Sequence, residues 1–180
     1  MRFFSSLTIL SSLWAFASAQ GSTPSPTPTT STSATSTSSS TATATPTTPL
    51  ISTTVSYDTL YDNKAGSLSS VACSDGSYGL LSKNYTTFGS LPNYPLIGGA
   101  FSIAGWNSPN CGSCYELAYT STGAGNTTTT TRVNILAIDV AVNSFNIALG
   151  GLNRLTGGRG VELGRVNVVA RQVASSVCGL

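Results

Sequence analysis

Apolar and polar positions fall into short runs from residue 55 onward. Residues 114–120 (CYELAYT) alternate around Tyr115, Leu117 and Tyr119, the two-residue period of a strand with one face against a core. Residues 55–61 (VSYDTLY), 68–73 (LSSVAC) and the Val-rich 166–173 also read as strands, and 133–139 (VNILAID) is the most apolar of the set. Gly and Pro clusters separate them: Gly76, Gly79, Pro92, Pro95, Gly98-Gly99 and Gly157-Gly158. One segment changes period. Phe145, Leu149, Leu152 and Leu155 recur near helical spacing, with Asn143 or Ser144 as N-cap and Gly157 as the stop. The Gly150-Gly151 pair inside that helix costs up to about 2 kcal/mol relative to two alanines. A second helical turn is expected at 160–163. Many short strands with one or two helices make, most simply, a small barrel.

The chain before residue 55 follows no such pattern. Arg2, an apolar stretch from Leu7 to Phe16 and the small residues Ala17-Ser18-Ala19 read as a secretory signal peptide over 1–19. Residues 20–54 are almost entirely Ser, Thr, Pro and Ala. That composition buries too little apolar surface to offset chain entropy, and it suits an O-glycosylated stalk. The folded domain is then 55–180. No later apolar run is long enough for a membrane span.

Charge narrows the function. The chain has 8 Lys/Arg, one of them Arg2 in the leader, and 6 Asp/Glu. The cations stand singly, so no basic block points to nucleic acid or an anionic membrane. There is no histidine. That removes the usual general base, the usual nucleophilic triads and the commonest zinc ligand. Neither a metal nor an organic cofactor is expected.

Cys73, Cys111, Cys114 and Cys178 form an even set behind a leader, so structural disulfides are the default, with three pairings possible. Cys111-Gly112-Ser113-Cys114 is a C-x-x-C. A thioredoxin-like centre would need a strand-to-helix turn, and a zinc site would need two more nearby ligands. Residues 123–131 (GAGNTTTTT) read as a long polar surface loop. Asn126-Thr127-Thr128 and Asn84-Tyr85-Thr86 are N-glycosylation sequons.

Together these motifs occur in a familiar order. VSYDTLYDN (55–63), CSDG (73–76), PLIGG (95–99), AGWNSPNCGSCYEL (104–117), NILAID (134–139), FNIAL (145–149), LTGG (155–158), LGRV (163–166) and the terminal VCGL resemble the cerato-platanin family of secreted fungal proteins. The resemblance spans nearly all of 55–180. It implies a mainly β fold, a six-stranded double-psi β-barrel with one or two short helices, related to the first domain of expansins. It implies the disulfides Cys73–Cys111 and Cys114–Cys178. It also implies binding of chitin-type N-acetylglucosamine oligomers in a shallow groove, a fungal cell-wall location, and perception by a plant receptor as elicitor or virulence factor. The protein is expected to be a monomer. Some members are said to loosen cellulose without hydrolysing it. The stalk, the Thr loop and Val142-Asn143-Ser144 depart from the family pattern.

Within that frame the ligand-binding candidates are Asp139, Asn146, Tyr57, Asp58, Asp75 and Asn107, with Tyr61 and Trp106 as aromatic faces. Carboxylates and amides match sugar hydroxyl and acetamido groups. Each has a structural alternative: Asp139 as a backbone acceptor, Asp75 as a turn residue, Trp106 and Tyr57 as core. Hydrolysis would need a second acid across the groove from Asp139, with Asp58, Asp62 or Asp75 available. A non-enzymatic glycan binder is the expected function. A weak glycan-active or wall-loosening protein and a structural, surface-active wall component are the alternatives.

Overall fold

A computed structural model of the chain describes residues 48–180. The expected leader and residues 20–47 of the expected stalk lie outside the described residues. Six strands close into a ring: β1 (Ile51–Tyr57), β2 (Ile97–Ala100), β3 (Cys114–Thr122), β4 (Thr128–Val140), β5 (Phe145–Ile147) and β6 (Arg165–Val173), in the order β1-β5-β2-β4-β3-β6. Two pairs are parallel, β1 with β5 and β2 with β4; the other four are antiparallel. Helices α1 (Leu149–Thr156) and α2 (Gly160–Leu163) follow β5.

The ring follows from the side-chain pattern. β6 alternates, with Val166, Val168 and Ala170 buried and Asn167, Val169 and Arg171 exposed. β4 instead buries Ile135, Leu136, Ala137 and Ile138 in succession. Loops also pair with its backbone beyond β2 and β3: Cys73 N–H donates to the Ile138 carbonyl (3.1 Å) and Gly112 N–H to that of Ala137 (2.9 Å). Inside, Phe101, Tyr115 and Phe145 pack edge-on or tilted, with centroids 5.2–6.0 Å apart.

Several expected elements are displaced. β1 begins at Ile51, inside the segment assigned to the stalk, and stops at Tyr57 rather than 61. Asp58 ends it by capping a 3₁₀ turn (Thr59–Asp62), its Oδ1 accepting from Leu60 N–H at 2.8 Å. Residues 68–73 are not a strand. Ser67 Oγ accepts from Ser69 N–H (3.2 Å) and starts a 3₁₀ turn at Leu68–Ser70 instead. Residues 123–131 are not one long loop. β3 and β4 run on as a hairpin, pairing Thr120 with Thr130 and Thr122 with Thr128. Thr is β-branched and favours a strand, which outweighs its polarity.

β2 and β5 were not expected. Gly98 and Gly99 read as a break, yet they permit the strand's close packing. A Cβ at Gly98 would lie 2.4 Å from the Asn146 carbonyl oxygen, and one at Gly99 would lie 2.5 Å from that of Val140. Phe145 belongs to β5, so the helix starts four residues later, at Leu149. Neither Asn143 nor Ser144 caps it. Asp62 does, its Oδ2 accepting from Leu149 N–H (2.7 Å) and its Oδ1 from Gly150 N–H (2.8 Å). The stop is where the sequence puts it: Gly157 is left-handed (φ 68°) and its N–H returns to Asn153. The helical turn at 160–163 is α2. Both disulfides implied by the resemblance are formed, Cys73–Cys111 and Cys114–Cys178.

Candidate functional site

β4 emerges from the packed ring at Asp139, which is half-buried and faces Gly99 of β2. Asp139 Oδ1 accepts from Val140 N–H (2.8 Å) and from Ala72 N–H (3.0 Å). Oδ2 accepts from the Tyr61 hydroxyl (3.0 Å). The 3₁₀ turn capped by Asp58 delivers Tyr61, whose ring is buried against Phe88 at 6.0 Å. Burial first, then the Asp139 charge, pushes the Tyr61 phenol well above its ordinary value, and Asp58 adds to this. Tyr61 therefore stays a donor. A carboxylate oxygen accepts about two hydrogen bonds. Oδ1 is filled, and Oδ2 keeps one direction for a ligand.

Ala72 carries the network onward. Its carbonyl accepts from Asn107 N–H (3.2 Å), and Asn107 Oδ1 accepts from Tyr78 N–H (2.9 Å). The next residue back is Trp106, 64% exposed, whose indole Nε1–H donates to Asp75 Oδ1 at 2.6 Å. That bond is the first cause holding the Asp75 carboxyl below its ordinary range. Trp106 is thus a surface residue and not core. Tyr78, on the same turn-rich stretch as Asp75, is half-exposed, and nothing in its surroundings marked it beforehand.

A second set lies along the same register. Gly99 faces Asp139 on one side and Asn146 on the other; Asn146 faces Ser56, and Ser56 faces Arg165. Asn146 Oδ1 accepts from Ser56 Oγ (3.0 Å), and Arg165 donates to Ser56 Oγ (3.0 Å) and Thr54 Oγ1 (2.8 Å). The Asn146 N–H pair is uncommitted among the described residues. Arg165 was not a candidate, because a lone Arg at a strand start carries no signal. Tyr57 is half-buried and packs on the core. Asp58 is exposed and spends Oδ1 on Leu60. Sequon residues Asn84 and Asn126 are both exposed, with left-handed backbone (φ 66° and 58°).

The cerato-platanin family model matches residues 53–180. The chain belongs to the cerato-platanin family. It is 50% identical over 134 residues to the heat-stable 19 kDa antigen of Coccidioides immitis (strain RS), covering 74% of this chain and 86% of that one. The crystal structure of cerato-platanin 2 from M. perniciosa superposes with TM-score 0.67 at 45% identity, covering 72% of this chain and all (100%) of the other. The solution structure of the fungal elicitor cerato-platanin matches with TM-score 0.56 and 37% identity over 69% of this chain and 95% of that one. Cerato-platanins are secreted fungal proteins of elicitor type, and two disulfides fit an extracellular member.

In this cerato-platanin every acid has a named donor. Asp58 takes Leu60 N–H, Asp62 caps α1, and Asp75 takes Trp106. Glu116 holds Arg171 and Arg132 (3.0 and 3.2 Å), Asp139 holds its three donors, and Glu162 holds Arg159 (2.7 Å). Among the described residues no three His, Cys, Asp or Glu side chains gather as metal ligands, and no helix is long and apolar enough to cross a membrane.

Proposed function

We propose that this protein is a non-catalytic binder of neutral cell-wall glycan, with chitin-type N-acetylglucosamine oligomers as ligand, acting at the fungal cell wall and perceived by plants as an elicitor. The supporting observation is the Asp139 arrangement: a half-exposed carboxylate held by Tyr61 and Ala72, with one acceptor direction left. A sugar hydroxyl fits that direction. The N–H pair of Asn146, on the same register, fits an acetamido or hydroxyl oxygen, and exposed Trp106 offers a ring face to a sugar ring. Every acidic side chain already holds a donor, and the cations without an acidic partner among the described residues, such as Lys64, Lys83 and Arg154, stand singly in the sequence, which suits a neutral polymer. Glycoside hydrolysis asks for one acid carrying a proton and a second activating water. Asp58, Asp62 and Asp75 each accept from a donor within the protein instead, which favours binding over turnover.

Titration of the secreted protein with N-acetylglucosamine oligomers, followed by backbone NMR, tests this. Shifts are expected at Ala72, Asn107, Asp139 and Asn146, and Asn146→Ala and Trp106→Ala are each expected to weaken binding about tenfold, or about 1.4 kcal/mol. No response at millimolar oligomer sinks the reading. Release of reducing sugar that disappears in Asp139→Asn replaces it with an enzyme.

A further inference from the structure

The β3–β4 hairpin outgrows the ring. β3 pairs with β6 only as far as Ala118, and β4 meets β2 only from Leu136 onward. Between them, the rungs from Tyr119–Thr131 to Thr122–Thr128 form a two-stranded ribbon with backbone donors and acceptors unpaired along both sides. Closure of a barrel removes strand edges; this extension restores two of them. Natural edges are blunted by charges, prolines, bulges or a covering segment. Residues 119–131 contain no charged residue and no proline, and residues 122–130 are all exposed. The strands are mostly Thr, which favours pairing, and the Thr120 and Thr130 hydroxyls already meet at 2.8 Å. Such a ribbon is a template for a second copy of itself.

At its tip stands Asn126-Thr127-Thr128. The turn is closed by Gly123 N–H donating to the Thr127 carbonyl (2.8 Å), and Asn126 sits on it, exposed, at φ 58°. An oligosaccharide at that point is bulky, solubilising and adjacent to both edges. We propose that Asn126 carries an N-linked oligosaccharide that covers the open edges of the ribbon and keeps two copies from pairing through it.

The full chain, secreted from a eukaryotic host, gives the test. Enzymatic release of N-glycans in isotope-labelled water converts each occupied Asn to labelled aspartate. Peptide mass spectrometry is expected to find the label at position 126; only unmodified Asn126 overturns the site. Sedimentation velocity then tests the role. Enzymatically deglycosylated protein, Asn126→Gly and Thr128→Ala are expected to shift from monomer to dimers and larger species, while Thr128→Ser, which keeps the sequon, stays monomeric. Gly tolerates the left-handed turn, and Thr128→Ala leaves that turn untouched, so neither variant strains the hairpin. The second sequon, at Asn84, is intact in the three variants, whereas enzymatic release also strips any glycan from Asn84. If every form lacking the Asn126 glycan sediments as monomer, the covering role is overturned.

Discussion

Trp106 reports on its own surroundings, because the other tryptophan, Trp14, lies in the expected leader. Its indole bonds Asp75, and Asp75 is held below the ordinary carboxylate range first by that bond. A depressed pKa means that the folded state favours the ionised acid. The contact is therefore fully present above the ordinary Asp value and is lost as pH falls through the lowered one. Tryptophan emission of the mature protein is expected to change with a midpoint below about 3.9, the ordinary Asp value. Asp75→Asn, whose amide oxygen accepts at every pH, is expected to abolish the change. A midpoint at or above the ordinary value, or an unaltered titration in that variant, contradicts the assignment. The residues of this region were legible by type: a carboxylate, an amide and aromatics in a chain with few charges. Ala72 was not legible, since it contributes only backbone groups, and nothing about its side chain signals that it joins Asp139 to Asn107.

Among elements, those defined by their own sequence were legible and those defined by a distant partner were not. β3, β4 and β6 declare themselves through alternation or a long apolar run. β2 has only four residues and β5 only three; both exist because neighbours pair with them on each side. The helix end was legible because Gly157 acts locally. The helix start was not, because its cap comes from Asp62, separated by 87 positions from Leu149. This distinction can be measured. Asp62→Ala removes two acceptors from the first turn of α1 and is expected to lower unfolding free energy by about 1–2 kcal/mol in urea. Ser144→Ala, at the position the local pattern favours for a cap, is expected to stay within about 0.5 kcal/mol of the parent. Equal effects at the two positions would contradict the long-range cap.

In the whole molecule the two disulfides hold different things. β1 and β6 come from opposite ends of the domain, so the ring closes only after a long stretch of chain has been ordered. Cys114–Cys178, spanning 64 positions, ties the start of β3 to the turn after β6 and so secures that closure. Cys73–Cys111, spanning 38, ties together the two loops that face each other at the candidate site: one carries Ala72 and Asp75, the other Trp106 and Asn107. Loop entropy assigns each bridge roughly 4 kcal/mol, a large part of the roughly 5–15 kcal/mol available to a domain. The expected stability losses are therefore similar, whereas the local consequences differ. Replacing Cys73 and Cys111 by Ala frees the two loops from each other, so the low-pH Trp106 transition is expected to disappear in protein whose far-ultraviolet circular dichroism still shows the barrel. Replacing Cys114 and Cys178 by Ala is expected to lower the urea midpoint comparably and to leave the Trp106 transition in place below that midpoint. The reverse pattern, with the transition lost only when the second bridge is removed, would show that the site depends on ring closure and not on the bridge beneath it.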